Sequence, residues 1–191
     1  ALVGCRGLAE DVDRFLAEFR QNSNQGFQDI PSFQGYHENS YLVRSSCPRF
    51  GTGEAKGILY DSVRGVDLFI MADVTNYSLT YTVCGHENHM SPDDHYQDLK
   101  RIISAANGKA RRINVIMPFL YESRQHKRSQ RESLDCAFAL QELVDMGVPN
   151  IITFDAHDPR VCNAIPLYGF DSFNPPYQFS RGLLRAEPDL K

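Results

Sequence analysis

The chain contains 191 residues, of which 42% are hydrophobic, and its formal net charge at pH 7 is −4. These values exclude a disordered tail, because a chain of this length and apolar content can bury a core. They also exclude a general electrostatic attraction to nucleic acid. The sequence has no apolar run long enough to cross a bilayer, so we expect neither nucleic-acid nor membrane partners.

The cysteines indicate a reducing compartment. They are odd in number, scattered along the chain and never spaced as Cys-x-x-Cys: Cys5, Cys47, Cys84, Cys136 and Cys162. This usage is typical of free thiols in cytosolic proteins rather than of a disulfide framework. We therefore expect a cytoplasmic protein.

The first half of the chain alternates short apolar segments with polar stretches. Four segments have the composition of strands: residues 1–4, 41–43, 57–60 and 66–72. Residues 8–21 place apolar side chains at helical spacing, which predicts an amphipathic helix. Residues 22–39 and 74–90 are polar, and we interpret both as surface excursions.

A regular alternation of helix and strand begins at residue 91. Residues 91–94 combine a capping serine, a proline in the first turn and an acid at the third position, which predicts a helix start. This helix is expected to end at Gly108. It is followed by a strand at 112–117, a helix at 133–146 and a strand at 150–154. Because the strands are unbroken apolar runs, they predict an α/β fold with a parallel sheet that helices cover on both faces.

In such sheets ligands bind at the carboxyl ends of the strands, and a basic loop follows the strand that ends at Met117. Four side chains that are or can be cationic lie within residues 124–128. Arg124 and Gln125 place a guanidinium beside an amide, a pair that suits a polyphosphate and a base edge. An exposed basic loop before a helix explains the same residues.

Two carboxylates flank an imidazole after the strand that ends at Phe154. These are Asp155, His157 and Asp158. The three side chains can hold a hard divalent cation, and Mg²⁺ is the natural ion beside phosphates. A capped turn with a hydrogen-bonded histidine is the alternative interpretation.

Residues 49–54 place an aromatic ring, Phe50, close to two glycines and an acid, Glu54. The ring can stack on a purine, and the carboxylate can accept from an amino or hydroxyl group. A turn that leads into a strand explains the glycines equally well.

A candidate zinc site comprises Cys84, His86 and His89, with His95 downstream. Its spacing differs from that of the common structural zinc sites, and it contains one thiol. It stands as an alternative hypothesis for the polar excursion in which it lies.

Four segments occur together, in the same order, in the ribose-phosphate pyrophosphokinases, and the chain resembles that family from about residue 49 to about residue 170. They are Arg-Phe-Gly-Thr-Gly-Glu at 49–54, Ser-Val-Arg-Gly-Val-Asp at 62–67, Pro-Phe-Leu-Tyr-Glu-Ser-Arg-Gln at 118–125 and Asp-Ala-His at 155–157. The resemblance implies a phosphoribosyltransferase-like fold with a central parallel sheet and helices on both faces. It also implies two such domains per chain, of which residues 1–174 correspond to the first, ATP-binding domain. Residues 175–191 correspond to the linker and the start of a second domain that this sequence does not include.

The resemblance also implies a reaction. The anomeric hydroxyl of ribose 5-phosphate attacks the β-phosphorus of Mg²⁺-bound ATP, AMP leaves, and phosphoribosyl pyrophosphate forms. Positioning and charge neutralisation perform most of the catalysis in such transfers. In the family, the ribose 5-phosphate site belongs to the second domain, so we expect the 191-residue chain alone to be inactive.

The resemblance assigns the site residues as well. Phe50 would stack on adenine, and Thr52, Gly53 and Glu54 would line the nucleotide pocket, usually that of a neighbouring subunit, so a homo-oligomer is expected. Arg124 and Gln125 would hold the ATP. The Mg²⁺ would be bound by His157, directly or through water, with Asp155 as a further candidate.

Three positions depart from the family pattern. Thr52 stands where the family has Asp or Asn, His126 replaces the acid after Arg-Gln, and residues 158–160 replace an Ala-rich segment. These departures support an alternative function, in which the chain is a non-catalytic partner that assembles with active pyrophosphokinase subunits and regulates them. Retention of Arg124, Gln125 and His157 favours the nucleotide-binding function.

Overall fold

The computed structural model describes residues 1–23 and 39–187. Within these ranges the helices are α1 (Arg6–Ser23), α2 (Pro92–Ala106), α3 (Asp135–Asp145) and α4 (Pro176–Ala186). The strands are β1 (Ser45–Ser46), β2 (Ile58–Leu59), β3 (Asp67–Met71), β4 (Thr80–Val83), β5 (His86–His89), β6 (Arg112–Met117), β7 (Asn150–Phe154) and β8 (Gly169–Phe173). Short 3-10 helices lie at Val3–Cys5 and Pro159–Ala164.

A four-stranded parallel sheet forms the centre of the fold. Its strand order is β3-β6-β7-β8, and every neighbouring pair is parallel. The α/β class and the parallel sheet expected from the sequence are therefore confirmed. The edge strand β8 was not predicted, because Gly169, Asp171 and Ser172 interrupt the apolar pattern that marks a buried strand.

The main core lies between one face of the sheet and the helices α2 and α3. Ile70, Val115 and Ile151, from three adjacent strands, belong to the same buried cluster as residues of both helices, which include Leu99, Ile103, Leu140 and Leu143. Each fully buried leucine of this kind contributes about 1.5–3 kcal/mol relative to an exposed one. These two helices thus fix the sheet whose carboxyl edge carries the candidate site.

Helix α1 begins on the opposite face of the sheet. Cys5 and Ala9 are buried against Met71 of β3, and Ile116 of β6 packs against the same cluster. This contact is made by the two small side chains Cys5 and Ala9. Helices therefore lie on both faces of the sheet, as the sequence predicts.

Helix α2 starts with the predicted capping arrangement. The Ser91 hydroxyl accepts from the backbone N–H of Asp94 (3.1 Å), and the Asp94 carboxylate accepts from the backbone N–H of Ser91 (2.9 Å). This reciprocal pair satisfies two donors that a helix start leaves free. It fixes the beginning of α2 at the carboxyl edge of the sheet.

Two strand predictions near the start of the chain are wrong. At residues 1–4, only the backbone N–H of Leu2 bonds to β3, at Met71 O (3.0 Å), before the chain turns into a 3-10 helix and then α1. Residues 41–43 form no strand. The antiparallel partner of β2 is instead β1 at Ser45–Ser46.

The polar excursion predicted at residues 74–90 contains a β-hairpin rather than a loop alone. Strands β4 and β5 pair in antiparallel register around Cys84 and Gly85, whose φ angles are 50° and 85°. Two left-handed central residues match the twist of a tight hairpin turn.

Residues 24–38, the larger part of the other predicted excursion, lie outside the described residues. Among the described helices, none is both long and apolar enough to span a bilayer.

Candidate functional site

Two loops at the carboxyl edge of the sheet bring predicted site residues together. Strands β6 and β7 are parallel neighbours, with Met117 opposite Thr153 near their ends, so the loops that follow them emerge side by side. The backbone N–H of His157 donates to the Ser123 hydroxyl at 3.0 Å. The structure therefore places His157 beside the loop that carries Arg124 and Gln125.

Both loops contain a left-handed residue just before the predicted ligand side chains. The φ angle is 54° at Glu122 and 44° at Asp155. This conformation costs a non-glycine residue about 1–2 kcal/mol, less for aspartate than for most side chains. Asp155 directly follows β7, whereas Glu122 lies five residues after the end of β6, so each left-handed residue bends the loop that carries a predicted ligand side chain.

Three consecutive backbone donors in the second loop, which we call the 155–157 turn, are all used within the protein. The N–H of Asp155 donates to Phe173 O (3.1 Å), and that of Ala156 donates to the Ser172 hydroxyl (3.0 Å). The N–H of His157 donates to Ser123, as above. A run of free N–H groups would have formed an anion-binding nest. Because all three N–H groups have partners within the protein, the 155–157 turn offers no such nest.

Arg124 and Gln125 occupy different environments. Arg124 is exposed, and among the described residues no carboxylate forms an ion pair with it. The Gln125 side-chain amide instead donates to Ser133 O at 2.7 Å, and the Cys136 N–H donates to Gln125 O. Gln125 therefore ties the loop to the start of α3, while the Arg124 guanidinium is available to an anion.

The charged side chains next to His157 are held by one another. The His126 and His157 rings lie edge to face, with centroids 5.0 Å apart, and His126 Nε2 is 3.5 Å from the Asp158 carboxylate. Two bonds from the Arg160 guanidinium, at 2.5 and 2.9 Å, hold the pKa of Asp158 well below its usual range. Asp158 also accepts the Arg160 N–H and so caps the 3-10 helix at Pro159–Ala164. Its carboxylate is therefore committed to a structural role.

The donor set suits an Mg²⁺ ion that arrives with a nucleotide. Among the described residues, no group of three or more His, Cys, Asp or Glu side chains is arranged to hold a metal. The exposed Asp155 carboxylate and His157 supply one oxygen-bearing group and one imidazole. Mg²⁺ is commonly bound through one or two carboxylates plus substrate phosphates and water, so these residues fit it in that form.

The residues of the zinc hypothesis make separate contacts. His89 stacks on Tyr77 at 4.3 Å, with Nδ1 2.8 Å from Tyr77 O, while His95 Nε2 lies 2.6 Å from Asn76 O. Cys84 is exposed at the hairpin turn. The described residues therefore contain no cluster of these four side chains, consistent with the absence of a metal-holding group in the described ranges.

The predicted adenine-binding segment is a tight turn with an exposed ring. Phe50 N–H donates to Glu54 O (2.7 Å), and Gly53 N–H donates to Phe50 O (2.9 Å). The Thr52 hydroxyl donates to the Glu54 carboxylate (3.0 Å). Phe50 remains 51% exposed. The turn therefore presents an aromatic face to solvent while Thr52 fixes the acid.

The β4–β5 hairpin supports this turn from behind. Cys84 N–H donates to Gly51 O (3.0 Å), and a Cβ atom at Gly53 would lie 2.9 Å from Val83. Gly53 also has φ 91°, so both the conformation and the space require glycine. The guanidinium of Arg49 lies 4.7 Å from the centre of the Tyr81 ring. The segment treated as an excursion in the sequence is thus a support for the candidate site.

The two halves of the predicted site remain apart within one chain. Among the described residues, no hydrogen bond, ion pair or ring contact joins Phe50–Glu54 to Arg124 or His157. The β4–β5 hairpin and the loop of Arg124 both contact the start of α2: Tyr81 OH lies 3.4 Å from Asp94, and Tyr121 OH donates to Asp93 at 2.6 Å. The structure therefore confirms neither a single nucleotide pocket nor its lining.

Sequence reasoning missed the hydroxyl groups that organise the site. Ser123 and Ser172 hold the 155–157 turn, and Tyr121 anchors its loop by stacking on Tyr96 at 4.2 Å. Burial, followed by the bond to Asp93, raises the pKa of Tyr121, so the phenol stays protonated and donates. The signal available in the sequence was a small polar residue, Ser123, between the charged residues Glu122 and Arg124 in the loop that follows a buried strand.

The fold and the site define a parallel α/β domain whose candidate ligand side chains follow the carboxyl ends of central strands, where such domains bind nucleotides and phosphates. Residues 4–147 match the family model described as the N-terminal domain of ribose phosphate pyrophosphokinase. The chain belongs to this family, as its sequence motifs indicate.

Known relatives agree with this assignment. The chain is 25% identical over 154 residues to the ribose-phosphate pyrophosphokinase of Bacillus caldolyticus, covering 79% of this chain and 43% of the relative. It is 28% identical over 151 residues to a putative ribose-phosphate pyrophosphokinase 2 of Lactococcus lactis, covering 78% and 42%. The chain therefore spans less than half the length of these curated relatives.

A solved structure confirms the fold. The crystal structure of phosphoribosylpyrophosphate synthetase from Mycobacterium smegmatis superimposes with a TM-score of 0.64 at 19% identity. The match covers 79% of this chain and 46% of the other. At this identity the similarity establishes the shared architecture.

Proposed function

We propose that the chain binds Mg²⁺-ATP as the N-terminal half of a ribose-phosphate pyrophosphokinase, for transfer of pyrophosphate to ribose 5-phosphate. The observation that carries this proposal is the placement of Arg124 and His157 in neighbouring loops that the Ser123–His157 hydrogen bond joins. The family of the chain and its motifs support the same function.

Each loop has a separate task in this proposal. Arg124, with its exposed guanidinium, binds the triphosphate through charge-assisted hydrogen bonds, and Gln125 keeps that loop on α3. His157 and Asp155 contact the Mg²⁺ that the nucleotide carries. When bound, the ion neutralises charge on the phosphate oxygens. Residues 1–174 form the ATP-binding domain, and residues 175–191, which include α4, lead towards the domain that binds ribose 5-phosphate.

Adenine binding is shared between subunits of a homo-oligomer. Phe50 is exposed on a supported turn that makes no contact with Arg124 among the described residues. A ring in this position can stack on the adenine held by a second copy. Thr52, Gly53 and Glu54 line the same pocket, in which the Glu54 carboxylate accepts from an adenine or ribose group.

Calorimetric titration of Mg²⁺-ATP into the 191-residue chain tests the proposal. Arg124→Ala removes hydrogen bonds between a charged donor and phosphate, so we expect about tenfold to hundredfold weaker binding. Arg128→Ala is the matched control, since Arg128 is exposed in the same basic loop. We expect it to bind within about twofold of the wild type. Equal affinities of the two variants, or no binding by the wild type, would contradict the proposal.

A second candidate function is that of a non-catalytic partner that regulates active pyrophosphokinase subunits. The observation that favours it is the pairing of Asp158 with Arg160 and His126, which commits charged groups beside His157 to each other. Such a partner would change the activity of full-length subunits without binding Mg²⁺-ATP itself. In either function, the chain alone should release no AMP from ATP and ribose 5-phosphate.

A further inference from the structure

The 155–157 turn is held from both sides by side-chain hydroxyls. On one side, Ser172 of β8 accepts the Ala156 N–H, and on the other, Ser123 after β6 accepts the His157 N–H, each at 3.0 Å. The adjacent Asp155 N–H continues the β7–β8 ladder to Phe173 O. The turn is therefore tied to β8 on one side and to the loop after β6 on the other, although regular pairing of β7 with β6 ends near Thr153.

Side-chain hydroxyls serve as hydrogen-bond acceptors in this turn because its backbone no longer follows the pairing pattern of the β-sheet. Asp155 is left-handed, so the next two N–H groups point away from the positions that strand pairing would give them. Without Ser123, the His157 N–H would lose its only partner among the described residues, and an unpartnered backbone donor that is shielded from water is destabilising. Ser123 is 4% exposed, so little water reaches its hydroxyl to replace it.

The position of the His157 imidazole depends on this arrangement. Two backbone bonds fix residues 156 and 157, and the ring then lies 5.0 Å from that of His126. His126 is itself 3.5 Å from Asp158, which Arg160 holds. The side chain that would meet a nucleotide-borne ion is thus set by groups that do not touch the ion.

We propose that Ser123 and Ser172 are positioning residues, which hold the 155–157 turn so that His157 meets the metal of bound Mg²⁺-ATP. This inference rests on the proposed function for its ligand. Ser123 has the larger effect, because it bonds to His157 itself and joins its turn to the loop of Arg124. Ser172 acts on the preceding residue.

Two measurements on the full chain test the proposal, with Ser123→Ala, Ser172→Ala and the exposed helix residue Ser104→Ala as the control. The first is amide hydrogen exchange by NMR without nucleotide. We expect Ser123→Ala to raise the exchange rate of His157 about tenfold, and Ser172→Ala to do so at Ala156, because each loses one hydrogen bond. Unchanged rates at both amides would overturn the proposal.

The second measurement compares calorimetric titrations of ATP with Mg²⁺ and of ATP in EDTA. Ser123→Ala should bind Mg²⁺-ATP about threefold to tenfold more weakly than Ser104→Ala, while metal-free ATP binds both alike. Ser123→Thr keeps the hydroxyl, so it should restore the increase in ATP affinity that Mg²⁺ produces in the wild type. An equal loss with and without the metal would show a general disturbance of the loop and would overturn the metal-positioning role.

The two inferences fail in different ways. If the wild-type chain binds no Mg²⁺-ATP, the proposed function and the metal-positioning role are both wrong, whereas the exchange rates still decide whether the hydroxyls hold the turn. If the wild type and Ser123→Ala bind with equal affinity and equal dependence on Mg²⁺, the proposed function stands and the positioning role is wrong. If Ser123→Ala does not fold, the same comparison is made with Ser172→Ala.

Discussion

At the scale of single residues, Asp155 combines two properties that a substitution series can separate. Its φ angle of 44° is a conformational demand, and its exposed carboxylate is a candidate metal ligand. Asparagine and glycine tolerate the left-handed region, whereas alanine does not. The left-handed backbone favours glycine or asparagine at this position, whereas metal binding requires the carboxylate of aspartate.

We expect Asp155→Ala to be less stable than Asp155→Gly by about 1 kcal/mol, because alanine meets the steric cost of the left-handed backbone. Asp155→Asn should keep the stability of the wild type but bind Mg²⁺-ATP more weakly, since an amide lacks the negative charge. Urea denaturation and calorimetry measure the two effects. Equal stability of the alanine and glycine variants would refute the conformational role.

The five cysteines should differ sharply in reactivity. Burial raises the pKa of the Cys5 and Cys136 thiols to about 11 and that of Cys47 to about 12. Cys84 is exposed at the hairpin turn. Since the thiolate is the reactive form, brief treatment of the folded chain with iodoacetamide at pH 8 should label Cys84 first. Peptide mass spectrometry would show this, and early labelling of Cys136 would contradict the buried core.

At the scale of elements, the buried strands could be predicted from the sequence and the exposed ones could not. The strands β3, β6 and β7 were predicted because their apolar runs are needed wherever a sheet is covered on both faces. Helix α2 was predicted because its cap is local in sequence. The hairpin was missed because β5, with its sequence His-Glu-Asn-His, is exposed throughout and so lacks an alternating apolar pattern.

The candidate site likewise contains residues that the sequence pattern indicates and contacts that it does not. Arg124 and His157 could be selected as candidates because their residue types follow strand ends, a relation visible in the sequence. The bonds of Ser123 and Ser172 to the 155–157 turn join residues 34 and 16 positions apart. Such contacts depend on how the loops meet in space, which spacing along the chain does not encode.

The contact of β2 with α2 gives a prediction at the element scale. A Cβ atom at Gly57 would lie 2.5 Å from Arg101 O, a backbone atom within α2. We expect Gly57→Ala to lower the free energy of unfolding by about 1–3 kcal/mol, because the strand must shift away from the helix. Gly51→Ala is the control, as Gly51 also lies outside the helices and a Cβ atom there meets nothing within 4 Å. Equal stability of the two variants in urea would contradict the close packing.

At the scale of the whole molecule, large apolar side chains remain on the surface. Helix α1 uses Ala9 and Ala17 as buried contacts but exposes Phe15 and Phe19. In α4 no residue is buried, although it carries Phe179 and other large apolar side chains. Contiguous exposed apolar surface is typical of faces that associate.

We expect the isolated chain to self-associate, with a mass in sedimentation velocity that rises with concentration. Replacing both Phe15 and Phe19 by Glu should reduce association, since these rings stack at 6.4 Å on the exposed face of α1. Leu167→Glu is the control, because Leu167 is exposed on a different segment. A monomer at all concentrations would contradict the expectation.

The full use of backbone donors in the 155–157 turn has a consequence for how this protein can change over evolutionary time. Main-chain recognition of phosphate would tie ligand preference to the shape of the turn, so that altering one would damage the other. Here two serines hold the backbone of the turn, and the functional groups available to a ligand belong to side chains that can be replaced. His126, Asp158 and Arg160 are side chains of this kind: they lie beside His157, and none of the three supplies a hydrogen bond to the backbone N–H groups of the turn.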